Sequence, residues 1–113
     1  MAERITNYAD FFPHYLREHS KPACRVTHYI GTTLAIACWV KFALTTDIIW
    51  LGVGFIAGYG FAWFGHFFIE KNRPATFQYP LWSLISDFRM YGLWLTGGLQ
   101  KQLDEAMANQ KPE

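Results

Sequence analysis

Charge is scarce in this sequence. Asp, Glu, Lys and Arg supply 17% of its 113 residues, below the roughly one quarter usual for a soluble domain. The formal net charge is only +1, and no cluster of basic residues marks one face, which argues against nucleic acid as a partner. Only two cysteines occur, Cys24 and Cys38. They form neither a zinc-ligand spacing nor the disulfide framework of a small secreted scaffold. Cys38 falls in an apolar stretch, where a free Cys behaves as a small hydrophobe, and both read as structural. Residues 1–28 carry acids and histidines and lack the apolar core of a signal peptide, so membrane insertion is expected to use internal segments. Repeats and low-complexity tracts are absent too, and the length fits one domain, 1–113.

Apolar side chains are abundant instead. They make up 51% of the chain, with ten Phe, five Trp and six Tyr. Mean hydropathy is only +0.02 because polar ends dilute an apolar middle. Residues 29–46 contain one charge, Lys41, and as a helix they would be roughly 27 Å long, near the lower limit for a membrane span. Lys41 lies close enough to the far end to reach the interface with its head group. Residues 48–69 carry no formal charge over 22 positions, a second expected span of roughly 33 Å. Only Asp47 separates the two, so they are expected to pair as an antiparallel hairpin. Arg17, Lys21 and Arg25 precede it and Lys71 and Arg73 follow it, which puts both chain ends in the cytoplasm, at the inner membrane in a bacterium.

Gly54, Gly58 and Ala62 repeat every four residues and give the second span a ridge of small residues. Such a ridge admits close backbone approach. Its expected partner is the face formed by Gly31, Ala35 and Cys38; a homodimer contact is the alternative. Before the hairpin, Tyr8, Phe11, Phe12, Tyr15 and Leu16 recur at helical spacing within residues 5–19. With Arg4, Arg17, Lys21 and Arg25 nearby, this stripe suits a helix at headgroup level or one packed against the rest of the protein. Pro13 is expected in a turn or a kinked first segment. Residues 80–99 are apolar but hold Asp87 and Arg89 near the middle. Charges at the bilayer centre are costly, so this segment reads as a re-entrant or interfacial helix rather than a third span. Residues 100–113 read as a short polar helix fraying into a tail. The fold class is all-α: a transmembrane hairpin with amphipathic and re-entrant helices.

The chemistry-bearing residues gather at one end of that hairpin. His28 lies 19 residues before Asp47 and His66 lies 19 after it, which sets the two imidazoles at one depth near the cytoplasmic interface. Glu70 follows His66 at i+4, a spacing at which two side chains can converge on one metal ion. His19 is nine residues before His28, a half-turn offset in one continuous helix. Pro22 breaks that continuity, and a bend there permits a cluster of three histidines. Imidazoles with a carboxylate suit Fe, Zn or Mn. The bland alternatives are a histidine bonded to a backbone carbonyl and a Glu70 paired with Lys71 or Arg73. His14, beside Pro13, is the weakest candidate. Ser20 and Cys24 lie near histidines, but no nucleophile elbow surrounds them.

The string Tyr15-x3-His19-x2-Pro22-x5-His28-x2-Gly31, with the later block from Gly65-His66 through Glu70 to Pro74-Ala75, resembles the 2-hydroxy-palmitate dioxygenase family of small multi-span membrane proteins. The likeness covers most of the chain, and Ser20 departs from the Asn common in relatives. What the resemblance implies is an iron(II)-dependent dioxygenase that uses O2 to shorten a 2-hydroxy long-chain fatty acid by one carbon. His19, His28 and His66 would be the iron ligands, and Glu70 a further ligand or an acidic partner to them. Lys71 and Arg73 would attract the substrate carboxylate. Trp63, Phe64, Phe67 and Phe68 would line an acyl channel or form an interfacial belt. Two rival readings remain: a non-enzymatic membrane module binding a lipid or a partner through the Gly54/Gly58 ridge, and a metal-dependent lipid hydrolase that turns over without oxygen.

Overall fold

The computed structural model describes residues 5–74 and 77–108. Arg4, Ala75 and the end of the expected polar tail, 109–113, lie outside the described residues. Those described form helices and connecting turns with no strand, as the all-α reading expects. In chain order the helices are α1 (Tyr8–Arg17), α2 (Pro22–Thr45), α3 (Ile49–Phe64), a π-helical segment (Gly65–Glu70), α4 (Pro80–Thr96) and α5 (Leu99–Ala108). They fall into two compact units, one of Lys21–Pro74 and one combining the residues before and after it.

The Lys21–Pro74 unit is the antiparallel hairpin. Pro22 opens α2 at the first helical position, where its fixed φ suits the helix and its missing N–H is no loss. The helix therefore begins well before the apolar stretch, and His28 lies inside it. Thr46, in the left-handed region at φ 55°, ends α2, and the Asp47 carboxylate accepts the N–H of Ile49 at 3.1 Å to start α3. The two helices then run back along one another. A Cβ on Gly31 would lie 2.9 Å from the Gly58 carbonyl oxygen and 3.0 Å from Phe61 Cβ, so the absence of side chains there is what lets the backbones meet. One turn further along, Gly54 sits under the indole of Trp39, which donates its N–H to the Leu51 carbonyl at 3.1 Å. Trp39, rather than Cys38, thus fills the groove beside the small-residue ridge. Lys41 places its ammonium 4.1 Å from the Trp50 ring centroid.

The outward faces of this hairpin stay apolar and exposed, with Leu44 80%, Ile56 75% and Phe68 67% accessible. Among the described residues one helical stretch, Ile49–Glu70, is long and apolar enough to cross a membrane. The 24-residue α2 has the length but is diluted by Thr27, Thr32, Thr33, Lys41 and Thr45.

The other unit consists of α1, α4 and α5. Asn7 caps α1, its side-chain oxygen accepting the Asp10 N–H at 2.9 Å. The aromatic stripe is core: Phe11, Phe12, Tyr15 and Leu16 are all buried. Of the two settings expected for α1, packing against protein is the one observed. Pro13 lies inside α1, correcting the expectation of a turn or kinked first segment. The lost N–H leaves the carbonyl of Ala9 at an exposed position open to solvent, and burial of four large side chains outweighs the deficit. Ser83, Ser86 and Met90 form the buried face of α4. There the Tyr8 hydroxyl meets Ser86 Oγ at 2.9 Å, and the Tyr15 hydroxyl donates to the Asp87 carboxylate. Arg89 lies over the Phe12 ring at 3.9 Å. The two charges that argue against a third span therefore each have an aromatic partner from α1. Gly97 turns the chain at φ 84°, and α5 follows with Leu99, Leu103 and Ala106 buried. Its carbonyl at Ala106 accepts from the Arg17 guanidinium at 3.1 Å.

Candidate metal centre

Four-residue steps along α3 carry the ridge Gly54, Gly58, Ala62 on to position 66, so His66 continues the face turned toward α2. The helix widens there into the π-helical segment Gly65–Glu70, a distortion that recurs at functional sites. Gly65 makes the approach possible, because a Cβ on it would collide with Thr27 Oγ1 and lie 3.0 Å from Cys24 Sγ. With the backbones this close, the rings of His28 and His66 meet edge to face, centroids 5.0 Å apart and planes at 89°. A ring nitrogen of one lies within 4.8 Å of a ring nitrogen of the other. The depth match expected from counting outward from Asp47 is realised in the folded hairpin.

Each imidazole is oriented through its Nδ1. His28 directs Nδ1 to the Cys24 carbonyl at 2.9 Å, one turn back in α2; Thr27 Oγ1 donates to that same oxygen at 2.6 Å. His66 directs Nδ1 to the side-chain oxygen of Asn72 at 2.7 Å. Lys71, left-handed at φ 61°, curls the chain after the π segment, and the Asn72 N–H bonds the His66 carbonyl at 2.9 Å. The side chain of Asn72 thereby returns to the ring. His19, in the other unit, follows the same pattern. It is fully buried, its Nδ1 is 2.6 Å from the Tyr15 carbonyl, and its ring stacks on that of Tyr15 with centroids 4.0 Å apart. An Nδ1–H bonded to an oxygen fixes the tautomer in which Nε2 carries the lone pair. That is the arrangement found behind metal-bound histidines. Burial also holds His28 neutral. Desolvation lowers its pKa to about 4, against the raising effect of the Cys24 carbonyl bond, and His66 adds a smaller depression. A neutral imidazole is the form that binds a metal.

Glu70 and Arg73 are placed differently. The Glu70 carboxylate accepts the backbone N–H of Lys21 at 2.7 Å, and the Lys21 ammonium donates to the Ile69 carbonyl at 3.1 Å. Lys21 is the residue that caps α2, so this reciprocal pair ties the end of the π segment to the start of α2. Arg73 is exposed beyond it. His14 pairs with Glu18 on the surface of α1 at 3.2 Å. Trp63, Phe64, Phe67 and Phe68 are all exposed, by 37%, 51%, 44% and 67%. Neither the buried Cys24 nor the half-buried Cys38 is in a disulfide.

Reading the sequence for ligands overlooked the groups that aim them. Asn72 lies inside the second motif block, six residues after His66, and a polar amide there was a signal available to sequence reasoning. The Tyr15 and Cys24 carbonyls each lie four residues before their histidine, a spacing any helical histidine offers.

No curated protein and no solved structure matches the chain significantly. A family model does match, over residues 5–99, a span that holds His19, His28, His66, Glu70 and Asn72. The chain belongs to the family described as 2-hydroxy-palmitic acid dioxygenase Mpo1-like.

Proposed function

We propose that the protein is an iron(II)-dependent dioxygenase acting on a 2-hydroxy long-chain fatty acid, with His19, His28 and His66 as its metal ligands. The observation that carries this reading is the shared tether of three buried histidines, each with Nδ1 bonded to an oxygen. A donor set of neutral imidazoles fits iron(II) as well as zinc, and a family described by dioxygenase chemistry favours a redox-active metal over zinc. Iron bound there would supply the redox chemistry that O2 activation needs. The chain's own part is to hold the ligands still. The Cys24 carbonyl and Asn72 fix two rings, the Glu70–Lys21 tie holds the two segments that carry them, and exposed Arg73 attracts a carboxylate at the rim.

In this reading the hairpin sits in a membrane with both chain ends on the cytoplasmic side. The exposed apolar faces of α2 and α3 support that setting. A 2-hydroxy acid would then lie with its chain among lipids and its polar head at the depth of His28 and His66. The rival reading, a lipid- or partner-binding module or homodimer built on the Gly54/Gly58 ridge, is weakened because Trp39, Gly31 and Ala35 already occupy that ridge.

The test is metal analysis of detergent-purified protein together with oxygen uptake on 2-hydroxypalmitate. Stoichiometric iron and oxygen uptake, both lost in His66→Ala, are expected. Wild-type protein that turns over metal-free, or turnover without oxygen, would overturn the reading.

A further inference from the structure

Behind His19 stands a part-buried polar contact that the metal reading does not use. Tyr15 is fully buried and touches His19 twice. Its carbonyl takes the imidazole Nδ1–H at 2.6 Å, and its ring lies against the imidazole at 4.0 Å, 29° from parallel. Its own hydroxyl, at the far end of the ring, donates to the Asp87 carboxylate of α4. Asp87 would otherwise be a poor choice for this face, whose neighbouring inward positions are Ser83, Ser86 and Met90. A carboxylate brought there costs several kcal/mol of desolvation unless it is bonded.

We infer that Asp87 is a positioning residue of the metal centre, acting on His19 through Tyr15. The carboxylate fixes the Tyr15 hydroxyl, and the hydroxyl fixes the rotation and depth of the ring. The ring face then holds the imidazole in the one plane from which Nδ1 reaches the Tyr15 carbonyl, leaving Nε2 to present its lone pair. Stacking alone leaves a ring free to slide, whereas a bond at the para position pins it. Neither Asp87 nor Tyr15 touches the metal. The inference rests on the reading of His19 as a ligand.

The experiment uses cobalt(II) as the probe, bound to the full chain in detergent. Its visible absorption reports ligand geometry and its affinity is measured by chelator competition. Asp87→Ala and Tyr15→Phe are each expected to weaken Co(II) binding by about 10-fold, the lower end of what loss of an orienting partner costs, and to shift the band. The double variant should be no worse than the weaker-binding single one, since both changes cut the same chain. Asp87→Asn keeps an acceptor for the hydroxyl and should restore affinity to within about twofold, whereas Asp87→Leu, with comparable bulk and no acceptor, should not, a difference that a packing role would not predict. In metal-free protein the 15N signals of His19 should show the Nδ1–H tautomer in wild type and a mixture in Tyr15→Phe. This measurement also serves if Asp87→Ala does not fold. Unchanged affinity, band and tautomer in Tyr15→Phe, while His19→Ala changes both affinity and band, would refute the role of Asp87 alone. An unchanged His19→Ala would instead remove His19 from the ligand set, and the inference with it.

Discussion

Replacing Asn72 by Ala tests the orientation argument most directly. The substitution removes the acceptor 2.7 Å from His66 Nδ1 and keeps the backbone N–H that bonds the His66 carbonyl at 2.9 Å, so the turn after the π segment stays closed. Two costs follow. His66 is only 2% exposed, and its Nδ1–H is left without that partner, a loss of about 1–3 kcal/mol for a buried donor. The ring also gains freedom to rotate or to change tautomer, either of which turns Nε2 away. Removal of an orienting partner of this kind typically lowers metal affinity by about 10–100-fold, which is about 1.4–2.8 kcal/mol at 1.4 kcal/mol per tenfold. Affinity is read by competition with a chromophoric chelator in detergent, with helical circular dichroism as the control for folding. Asn72→Asp keeps the acceptor and adds charge, so it should bind at least as tightly as wild type. Wild-type affinity in Asn72→Ala, set against loss of binding in His66→Ala, would refute the reasoning.

Gly65→Ala drives a methyl group into Thr27 and Cys24 and should cost about 1–3 kcal/mol of stability; because Cys24 carries the acceptor for His28, metal affinity should fall with the melting temperature. Gly60 has nothing within 4 Å of the same added atom, so Gly60→Ala should leave stability unchanged or raise it by up to about 1 kcal/mol. Glu70→Ala should lose about 0.5–2 kcal/mol, as loss of a helix cap does, while the purified protein retains its metal; loss of metal at full stability would make the carboxylate a ligand. Burial raises the Asp87 pKa to about 7, against the lowering bond from Tyr15. The unfolded chain releases this proton at a lower pH than the folded one, so stability should decline as pH rises from about 4 through 7. Urea titrations across that window should find the decline in wild type and a flatter profile in Asp87→Asn.

The legible part of this protein was the part governed by helical repeat. Two antiparallel helices of equal rise bring residues equidistant from their turn to one level, so counting from Asp47 was enough to pair His28 with His66. The small-residue ridge was legible for the same reason, and extending it by one more step would have placed His66 on the α2 face independently. What escaped was set by contacts distant in sequence. Nothing local says that Trp39, and not Cys38, will lie over Gly54, or that the Asp87 carboxylate will take a hydrogen bond from a tyrosine 72 residues earlier. Pro13 departs from expectation because the local rule against proline inside a helix takes no account of the four buried side chains that override it.

Glu70 shows where the repeat itself changes. The i, i+4 spacing from His66 suggests two side chains on one face, but that inference assumes 100° per residue, and Gly65–Glu70 is wound as a π helix. Its i→i+5 bonding advances each residue through a smaller angle, so position 70 falls short of position 66 around the helix axis instead of passing it. The carboxylate is carried instead to the Lys21 N–H, where a negative charge is favourable at the start of α2. The same widening leaves the His66 carbonyl to be shared by the N–H groups of Lys71 and Asn72, and this brings the amide of Asn72 back to the imidazole. One local distortion therefore bears on both residues: it shifts Glu70 around the axis relative to His66 and supplies the residue that aims His66. Straightening the segment by deleting one residue between Phe67 and Ile69 should undo both together, releasing the start of α2 and abolishing metal binding in a chain whose α2–α3 packing is otherwise intact.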